Sequence, residues 1–193
     1  ISSHLYNKIT SLDHDRHPVL LRPISVDFQC HQQNSSQQKT TKDLFYAGSF
    51  EIKDGVENLI DAFDKVALNC DQLRLLMTGK GSPMRMSTIL KRIEESPFSQ
   101  RIEYLGYLDD DQYYETLGQA DVFCMTRIDT GFANAGFPFK LGEYLATGRP
   151  VIASSVSDID QFLANQESAM LIAPGDIGDI VAAIEYLIKH PDK

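Results

Sequence analysis

From residue 43 onward, short apolar runs alternate with amphipathic stretches about six times, and this alternation constrains the fold more than any other feature. The first apolar run covers residues 44–47, and residues 56–67 then carry apolar side chains at helical spacing. Further apolar runs lie at residues 73–77, 102–105, 121–125, 151–153 and 169–172, and a final helix is predicted over residues 177–189. Strands that alternate with helices through short loops are typical of a doubly wound, mostly parallel sheet. We therefore predict an α/β fold with six strands and helices on both faces.

The residues before this alternation have a different character. Leu5, Ile9 and Leu12 have helical spacing, and residues 18–23 favour a short extended segment. Residues 29–42 are polar and contain almost nothing to bury, so we predict a linker or exposed loop there. The predicted organisation is thus residues 1–28, a polar connection over 29–42, and one Rossmann-like domain over 43–193.

Composition narrows the classes of function. The 193 residues carry a formal net charge of −9, which argues against broad nucleic-acid binding, because that needs clustered Lys and Arg. No apolar stretch approaches the ~20 residues that span a bilayer. Cys124 lies in an apolar run, so we predict a buried thiol in a reducing compartment and a cytoplasmic protein. The chain starts at Ile1 without a signal peptide or initiator Met, and we expect a fragment.

Residues 48–55, after the first predicted strand, have features of an anion-binding loop. Gly48 lets the backbone approach a ligand, Ser49 follows it, and the start of the next helix favours negative charge. Lys53 adds a point charge suited to a diphosphate. A tight turn at Gly48 with a solvated Lys53 explains the same residues, so both interpretations stay open. Lys80, in the glycine-containing loop after the second strand, presents the same choice.

Metal ligation is the competing interpretation of the Asp residues at 109–111. Asp-x-Asp patterns supply oxygen ligands to divalent cations. The same residues suit the start of a helix, where carboxylates cap free amides and oppose the dipole, and we favour that interpretation. His14 and His17 lie in a polar stretch without cysteine partners. We therefore predict no metal site.

Residues 126–151 carry most of the functional information. Pro138 suits a first helical position and Gly148 a helix end, so we predict a helix over residues 139–146. Its Leu141, Tyr144 and Leu145 would face the core, whereas Lys140 and Glu143 share another face. A carboxylate one turn into a helix that holds a diphosphate can accept hydrogen bonds from both ribose hydroxyls. A surface ion pair between Lys140 and Glu143 is the open alternative.

Five segments, in this order, resemble the donor-binding domain of retaining glycosyltransferases of the GT-B fold, the "glycosyl transferases group 1" family. They are residues 46–49 with 53–55, 101–107, 120–123, 137–151 and 173–176. The resemblance covers roughly residues 44–189. It also extends to residues 18–27, which look like the crossing between the two domains of that family. Residues 1–28 would then be a remnant of the N-terminal acceptor domain and this crossing.

The resemblance implies a role for each matching residue. Glu143 would bind the ribose, and the backbone amides of Gly136 and Phe137 would hold the phosphates with help from Lys53. Tyr107 and Leu108 would flank the base. The implied donor-binding residues are Gly48, Ser49, Lys53, Tyr107, Leu108, Arg127, Asn134, Gly136, Phe137, Lys140 and Glu143, with Lys53 and Glu143 as the catalytic pair. Amides and Lys53 would stabilise the leaving group in place of a metal ion, and no cofactor is implied.

Two positions depart from the family pattern. The family usually has a second glutamate eight positions before the ribose-binding one, in contact with the transferred sugar, and this chain has Ala135 there. Asn134 and Asp129 are the candidate substitutes. The usual arginine near the first-loop lysine is not evident, and Arg127 is the candidate for that cation.

The function that follows is transfer of a sugar from a nucleoside diphosphate sugar to a carbohydrate or lipid-linked acceptor. We expect the isolated chain to bind nucleotide but barely turn over, because the acceptor domain is missing, and we expect membrane contact to be peripheral at most. A non-catalytic nucleotide-binding module and a nucleotide-sugar 2-epimerase are the alternatives. A phosphorylase would need a marked pyridoxal phosphate lysine. A receiver domain would need acidic residues where Gly48, Ser49 and Gly106 stand.

Overall fold

The computed structural model describes residues 2–13, 17–18, 25–26 and 40–190, and within them it contains one six-stranded sheet. The strands are β1 (Lys42–Ser49), β2 (Leu73–Lys80), β3 (Ile102–Tyr104), β4 (Val122–Met125), β5 (Val151–Ser154) and β6 (Met170–Ile172). The helices are α1 (Ser3–Asp13), α2 (Val56–Ala67), α3 (Pro83–Glu94), α4 (Asp110–Gln119), α5 (Gly131–Ala135), α6 (Phe139–Ala146), α7 (Ile159–Phe162) and α8 (Ile177–Lys189). The predicted α/β fold with a six-stranded sheet is confirmed.

The sheet is parallel throughout, in the order β3-β2-β1-β4-β5-β6. Leu44 at the centre of the sheet pairs with Leu75 on one side and with Val122 on the other. The chain winds outward from β1 to β3, crosses back to β4, and winds outward again to β6. Loops on the two sides of such a reversal diverge, so a crevice opens beyond the carboxyl ends of β1 and β4.

Helices cover both faces of the sheet, and alternate residues of β1 point to opposite layers. Leu44 and Tyr46 pack in one buried cluster with residues of α2, α3 and α8. Phe45 and Ala47 pack in the other cluster with residues of α4, α6 and α7. Burial on both faces explains why the strands are continuous apolar runs in the sequence.

The predicted ends of two strands are wrong. The sequence places the first strand end before Gly48 and treats residues 79–81 as a stop, but β1 runs to Ser49 and β2 runs to Lys80. The parallel ladder continues because Gly48 pairs with Gly79 and Ser49 with Lys80. Gly79 has φ +132°, and a Cβ there would collide with the carbonyl oxygen of Gly48. These glycines therefore serve close strand contact as well as turn formation.

Two further details differ near α6. The sequence did not predict the short helix α5, which lies inside the loop after β4. Pro138 precedes the first residue of α6 and has an extended ψ of 116°, so it is not the first helical residue. The bounds of α6 and α8 are those predicted, and Gly148 follows the end of α6 with a φ of 70°.

Asp109 caps α4, which confirms the capping interpretation of that residue. Its side chain accepts a hydrogen bond from the amide of Gln112 at 2.9 Å, and the Gln112 side chain accepts one from the amide of Asp109 at 3.3 Å. Asp110 and Asp111 occupy the first turn, where they oppose the helix dipole.

The N-terminal helix predicted from Leu5, Ile9 and Leu12 is present as α1, and it contacts α5. The amide of Ser3 donates to Oδ2 of Asp158 at 2.5 Å, which joins the start of α1 to the loop after β5. His14, Cys30 and most of the predicted extended and linker segments lie outside the described residues. Within the described ranges, no helix is both long and apolar enough to cross a bilayer.

Candidate functional site

Two adjoining cavities lie at the carboxyl ends of β1, β2 and β4. The smaller, of about 190 Å³, lies between the end of β1, the loop after β4 and the start of α6. The larger, of about 440 Å³, lies between the ends of β1 and β2 and the start of α4. Both are lined by Ala47, Gly48, Ser49 and Lys140, so they form one cleft. The larger cavity is of a size that binds small molecules, and its position is where doubly wound sheets hold ligands.

Tyr144 fixes α6 against the end of β1. Its ring is fully buried and stacks on Phe123 with ring centroids 4.6 Å apart. The amide of Ala47 donates to its hydroxyl at 2.8 Å, and the hydroxyl donates to the carbonyl of Ala47 at 3.2 Å. These contacts pair both backbone groups of Ala47 and hold α6 against the end of β1 at the cleft.

The start of α6 supplies unpaired backbone amides to the smaller cavity. Pro138, Phe139 and Lys140 line that cavity, and among the described residues no side chain caps the helix. The first amides of a helix lack partners within the helix and carry partial positive charge. The predicted amides, those of Gly136 and Phe137, precede the helix and do not line either cavity. Their role in holding phosphate stays a prediction, and Phe139 and Lys140 are better placed.

A buried carboxylate, missed in the sequence, organises the smaller cavity. Asp54 is 4% exposed and lines this cavity. The Nζ of Lys53 lies 2.8 Å from both carboxylate oxygens of Asp54 and 3.1 Å from Oγ of Ser49. The hydroxyl of Ser49 donates to Asp54, and Nε of Arg127 lies 3.5 Å from it. We call Ser49, Lys53, Asp54 and Arg127 the buried cluster.

The loops after β1 and β4 bring the buried cluster together. The amide of Ile128 donates to the carbonyl of Lys53 at 3.0 Å, which places Arg127 beside the first loop. Gly55 has φ +63°, and a Cβ there would collide with the carbonyl of Thr126. Ser49, Lys53 and Arg127 were each predicted as site residues, and the structure places all three in contact with one carboxylate. The interpretation of Lys53 as a solvated surface residue is wrong, since its side chain is 19% exposed.

The buried cluster has one positive charge in excess, because two cations face a single carboxylate. An incoming diphosphate would therefore meet a net attraction but also compete with Asp54 for Lys53 and Arg127. The Lys-Asp-Gly run at residues 53–55 was visible in the sequence, but nothing local indicated that Asp54 turns inward.

Glu143 belongs to a second group, which we call the ribose-side cluster: Tyr113, Lys140 and Glu143. The Nζ of Lys140 lies 3.0 Å from Oε2 of Glu143, and the Tyr113 hydroxyl donates to the same oxygen at 2.7 Å. Lys140 also lies over the Tyr113 ring, 3.8 Å from its centroid. The Lys140–Glu143 ion pair left open in the sequence is thus present. Glu143 does not itself line either cavity, but it contacts Tyr113 and Lys140, which line the larger one, and ribose binding by Glu143 stays a prediction. Tyr113 was missed because its contact with Glu143 joins residues of two helices that are 30 positions apart in the chain.

Tyr107 and Leu108 line the larger cavity, as their predicted role requires. Tyr107 is 70% exposed, and the Nζ of Lys80 lies 4.3 Å from its ring centroid. Leu108 packs against the hydrophobic core layer that includes Tyr113 and Leu117 of α4. An exposed ring beside a cation is suited to stacking on a planar base, and this role stays a prediction.

Asn134 is engaged elsewhere. Its Nδ2 donates to Asp129 at 2.7 Å, and its Oδ1 accepts from the amide of Ser157 at 2.8 Å. These bonds hold α5 against the loop after β5. Asn134 and Asp129 do not line either cavity, and their role as substitutes for the glutamate replaced by Ala135 stays a prediction.

Comparisons with known proteins agree with this geometry. The family model "Glycosyl transferases group 1" matches residues 41–190. The chain is 27% identical over 150 residues to the phosphatidyl-myo-inositol mannosyltransferase of Mycobacterium leprae, covering 77% of this chain and 38% of that protein. The chain thus spans well under half the length of this relative.

Solved structures share the fold. The sucrose-phosphate synthase of Thermosynechococcus elongatus superposes with a TM-score of 0.80 at 19% identity, over 100% of this chain and 49% of that chain. Anabaena HepE in complex with UDP and glucose superposes with a TM-score of 0.74 at 16% identity, over 86% of this chain and 46% of that chain. The family match, the fold and the cleft lead to one conclusion: this chain belongs to the glycosyl transferases group 1 family.

Proposed function

We propose that this chain is the donor-binding part of a glycosyltransferase, which moves a sugar from a nucleoside diphosphate sugar to a carbohydrate or lipid-linked acceptor. The observation that carries this proposal is the cleft itself, in which the start of α6 and the buried cluster lie at one end and Tyr107 lies at the other. Positive charge at one end suits a diphosphate, and the aromatic side chain suits a base. The HepE structure with UDP and glucose supports the same ligand class.

Each part of the cleft has a role in the proposal. The amides at the start of α6, with Lys53 and Arg127, take up negative charge that develops on the leaving diphosphate. Glu143 accepts hydrogen bonds from the ribose hydroxyls. These groups supply the positive charge that a metal ion would otherwise supply, so we propose transfer without a metal or other cofactor.

The acceptor is bound elsewhere in this proposal. Because the chain spans 38% of its mannosyltransferase relative, the remaining length of such a protein would supply the acceptor domain. That relative is named for a lipid-linked acceptor, phosphatidyl-myo-inositol, which supports a carbohydrate or lipid-linked acceptor and a peripheral membrane contact. The cytoplasmic location stays a prediction.

A non-catalytic nucleotide-binding module of the same fold is the second candidate. Two observations favour it: Ala135 stands where the family has a sugar-contacting glutamate, and Asp54 already neutralises part of the charge that the phosphates would use. This candidate shares nucleotide binding with the first and differs in lacking transfer. No observation favours the 2-epimerase alternative over these two.

Titration calorimetry with UDP and with GDP tests nucleotide binding by the chain. We expect heat of binding with at least one of them, unchanged by EDTA. No heat with any nucleoside diphosphate at millimolar concentration would overturn both candidates, and loss of binding in EDTA would overturn the metal-free proposal. Release of free sugar from a bound nucleotide sugar by a chain that includes the acceptor domain would then distinguish the enzyme from the non-catalytic module.

A further inference from the structure

Tyr113 joins the helix that flanks the larger cavity to the carboxylate expected to bind ribose. It lies in α4, is 8% exposed, and its ring contacts Phe45 with centroids 6.3 Å apart. Its hydroxyl donates to Oε2 of Glu143 on α6 at 2.7 Å. Packing of the ring therefore fixes where the hydroxyl lies, and the hydroxyl fixes one oxygen of Glu143.

The two oxygens of Glu143 are treated differently. Oε2 accepts from Tyr113 and pairs with Lys140 at 3.0 Å. Within the described part of the chain, Oε1 makes no hydrogen bond. One oxygen is therefore held in place while the other can accept a hydrogen bond from a ligand.

Burial keeps the phenol of Tyr113 a donor. The pKa of Tyr113 is raised well above its ordinary value, mainly by burial and to a smaller extent by the neighbouring Tyr144 and Glu143. The phenol consequently stays protonated at neutral pH, and it contributes a hydrogen bond but no charge.

We propose that Tyr113 is a positioning residue that holds Glu143 for ribose binding and so raises the preference for ribonucleotides over 2′-deoxyribonucleotides. This inference rests on the proposed function. A carboxylate fixed before binding loses less rotamer freedom when the ribose hydroxyls arrive, and its hydrogen bonds are correctly aimed. Lys140 reinforces the position because it contacts both the carboxylate and the Tyr113 ring.

The test compares affinities for UDP and 2′-deoxy-UDP, measured by calorimetry on the wild-type chain and three variants. Tyr113→Phe removes only the hydroxyl, Glu143→Gln removes the charged acceptor, and Tyr186→Phe removes a hydroxyl on α8, whose ring stacks on His190 outside the cleft. We expect Tyr113→Phe to weaken UDP binding roughly 3–10-fold, the scale of one ordinary hydrogen bond, because the hydroxyl acts on the ribose only through Glu143, and to reduce the UDP preference. Tyr186→Phe should change neither.

The outcomes separate the inference from the function on which it rests. If the wild-type chain binds no nucleoside diphosphate, the proposed function fails; if it binds GDP and not UDP, the same comparison is made with GDP and 2′-deoxy-GDP. If the wild-type chain prefers UDP and Tyr113→Phe has the same preference, Tyr113 has only a structural role and the inference is overturned. This outcome includes a variant that binds both nucleotides more weakly by the same factor. Because the preference is a ratio within one variant, partial loss of folded protein does not alter it.

Discussion

The buried cluster and the ribose-side cluster are both carboxylates paired with cations, yet the cleft would use them in opposite ways. Asp54 has a side chain 6% exposed and holds two cations, whereas the side chain of Glu143 is 23% exposed and has one oxygen available. A diphosphate would have to replace Asp54 as the partner of Lys53 and Arg127. A ribose would add to Glu143 without displacing anything. The Asp54 carboxylate would thus compete with the ligand for its cations, whereas the Glu143 carboxylate would accept hydrogen bonds from the ligand.

The largest effect is expected at the cation of the buried cluster. Lys53→Met should weaken UDP binding by about 10–100-fold, because a charged hydrogen bond contributes ~1.5–3 kcal/mol. Calorimetry measures this change, and Lys42→Met, at the opposite end of β1, is the matched control. Equal affinity in Lys53→Met and wild type would show that Lys53 pairs only with Asp54 and does not contribute to nucleotide binding.

The ribose-side carboxylate should have the next largest effect. Glu143→Ala should weaken nucleotide binding by ~1–3 kcal/mol, because the ribose hydroxyls lose their acceptor. Glu185→Ala on α8 serves as the control, since it also removes a glutamate paired with a lysine, at 3.7 Å. Unchanged affinity in Glu143→Ala would leave the Lys140–Glu143 pair as a surface ion pair only.

Asp54→Asn should change binding in the opposite direction from the first two variants. Removing the competing charge frees Lys53 and Arg127, so UDP should bind more tightly, by roughly 3–10-fold on the scale of a charge-assisted contact. The melting temperature should fall, since two cations lose a buried partner.

Asp61→Asn is the control for that variant, because Asp61 accepts from Arg92 at 2.9 Å on the outer face of α2. It should lower stability without changing affinity. A weaker UDP complex in Asp54→Asn would mean that Asp54 supports the cations rather than competing for the ligand.

The smallest effect is expected from pH on the ribose-side cluster. The raised pKa of Tyr113 moves loss of its proton to higher pH, so the repulsion between a phenolate and Glu143 is absent below about pH 10, the ordinary tyrosine value. Phosphate groups lose their last proton with a pKa near 6 and are almost fully ionised by pH 7.5. UDP affinity should therefore change less than about twofold between pH 7.5 and 8.5 by calorimetry. A steady loss in the wild-type chain that is absent in Tyr113→Phe would show that Tyr113 titrates in the cleft.

The order of elements could be predicted from the sequence because it depends on local periodicity. Apolar runs and helical spacing gave all six strands, and the bounds of α6 and α8 agree to the residue. The local pattern did not predict the ends of β1 and β2, because these strands continue through glycines by pairing with each other. It also failed at α5, whose five residues are too few to show a period.

Some residues of the candidate site could likewise be predicted from the sequence and others could not. Gly48, Ser49, Lys53, Tyr107, Leu108, Arg127 and Lys140 were predicted from the sequence and all line the cleft or contact a residue that does. Asp54 and Tyr113 were not, since each owes its position to contacts across the fold: Asp54 to Arg127 on the loop after β4, and Tyr113 to Glu143 on another helix.

The sequence by itself determined the class of fold and the helix that begins at the cleft, because strand and helix periods and helix starts are local properties. The residues assigned to a diphosphate and a ribose came from the family resemblance, and their roles stay predictions. Only the tertiary structure decided which charges meet. Two loops folded together place Asp54 between Lys53 and Arg127, and two helices packed on one face place Tyr113 against Glu143. Electrostatic pairing depends on distance through space and burial, and neither is encoded in the order of residues alone.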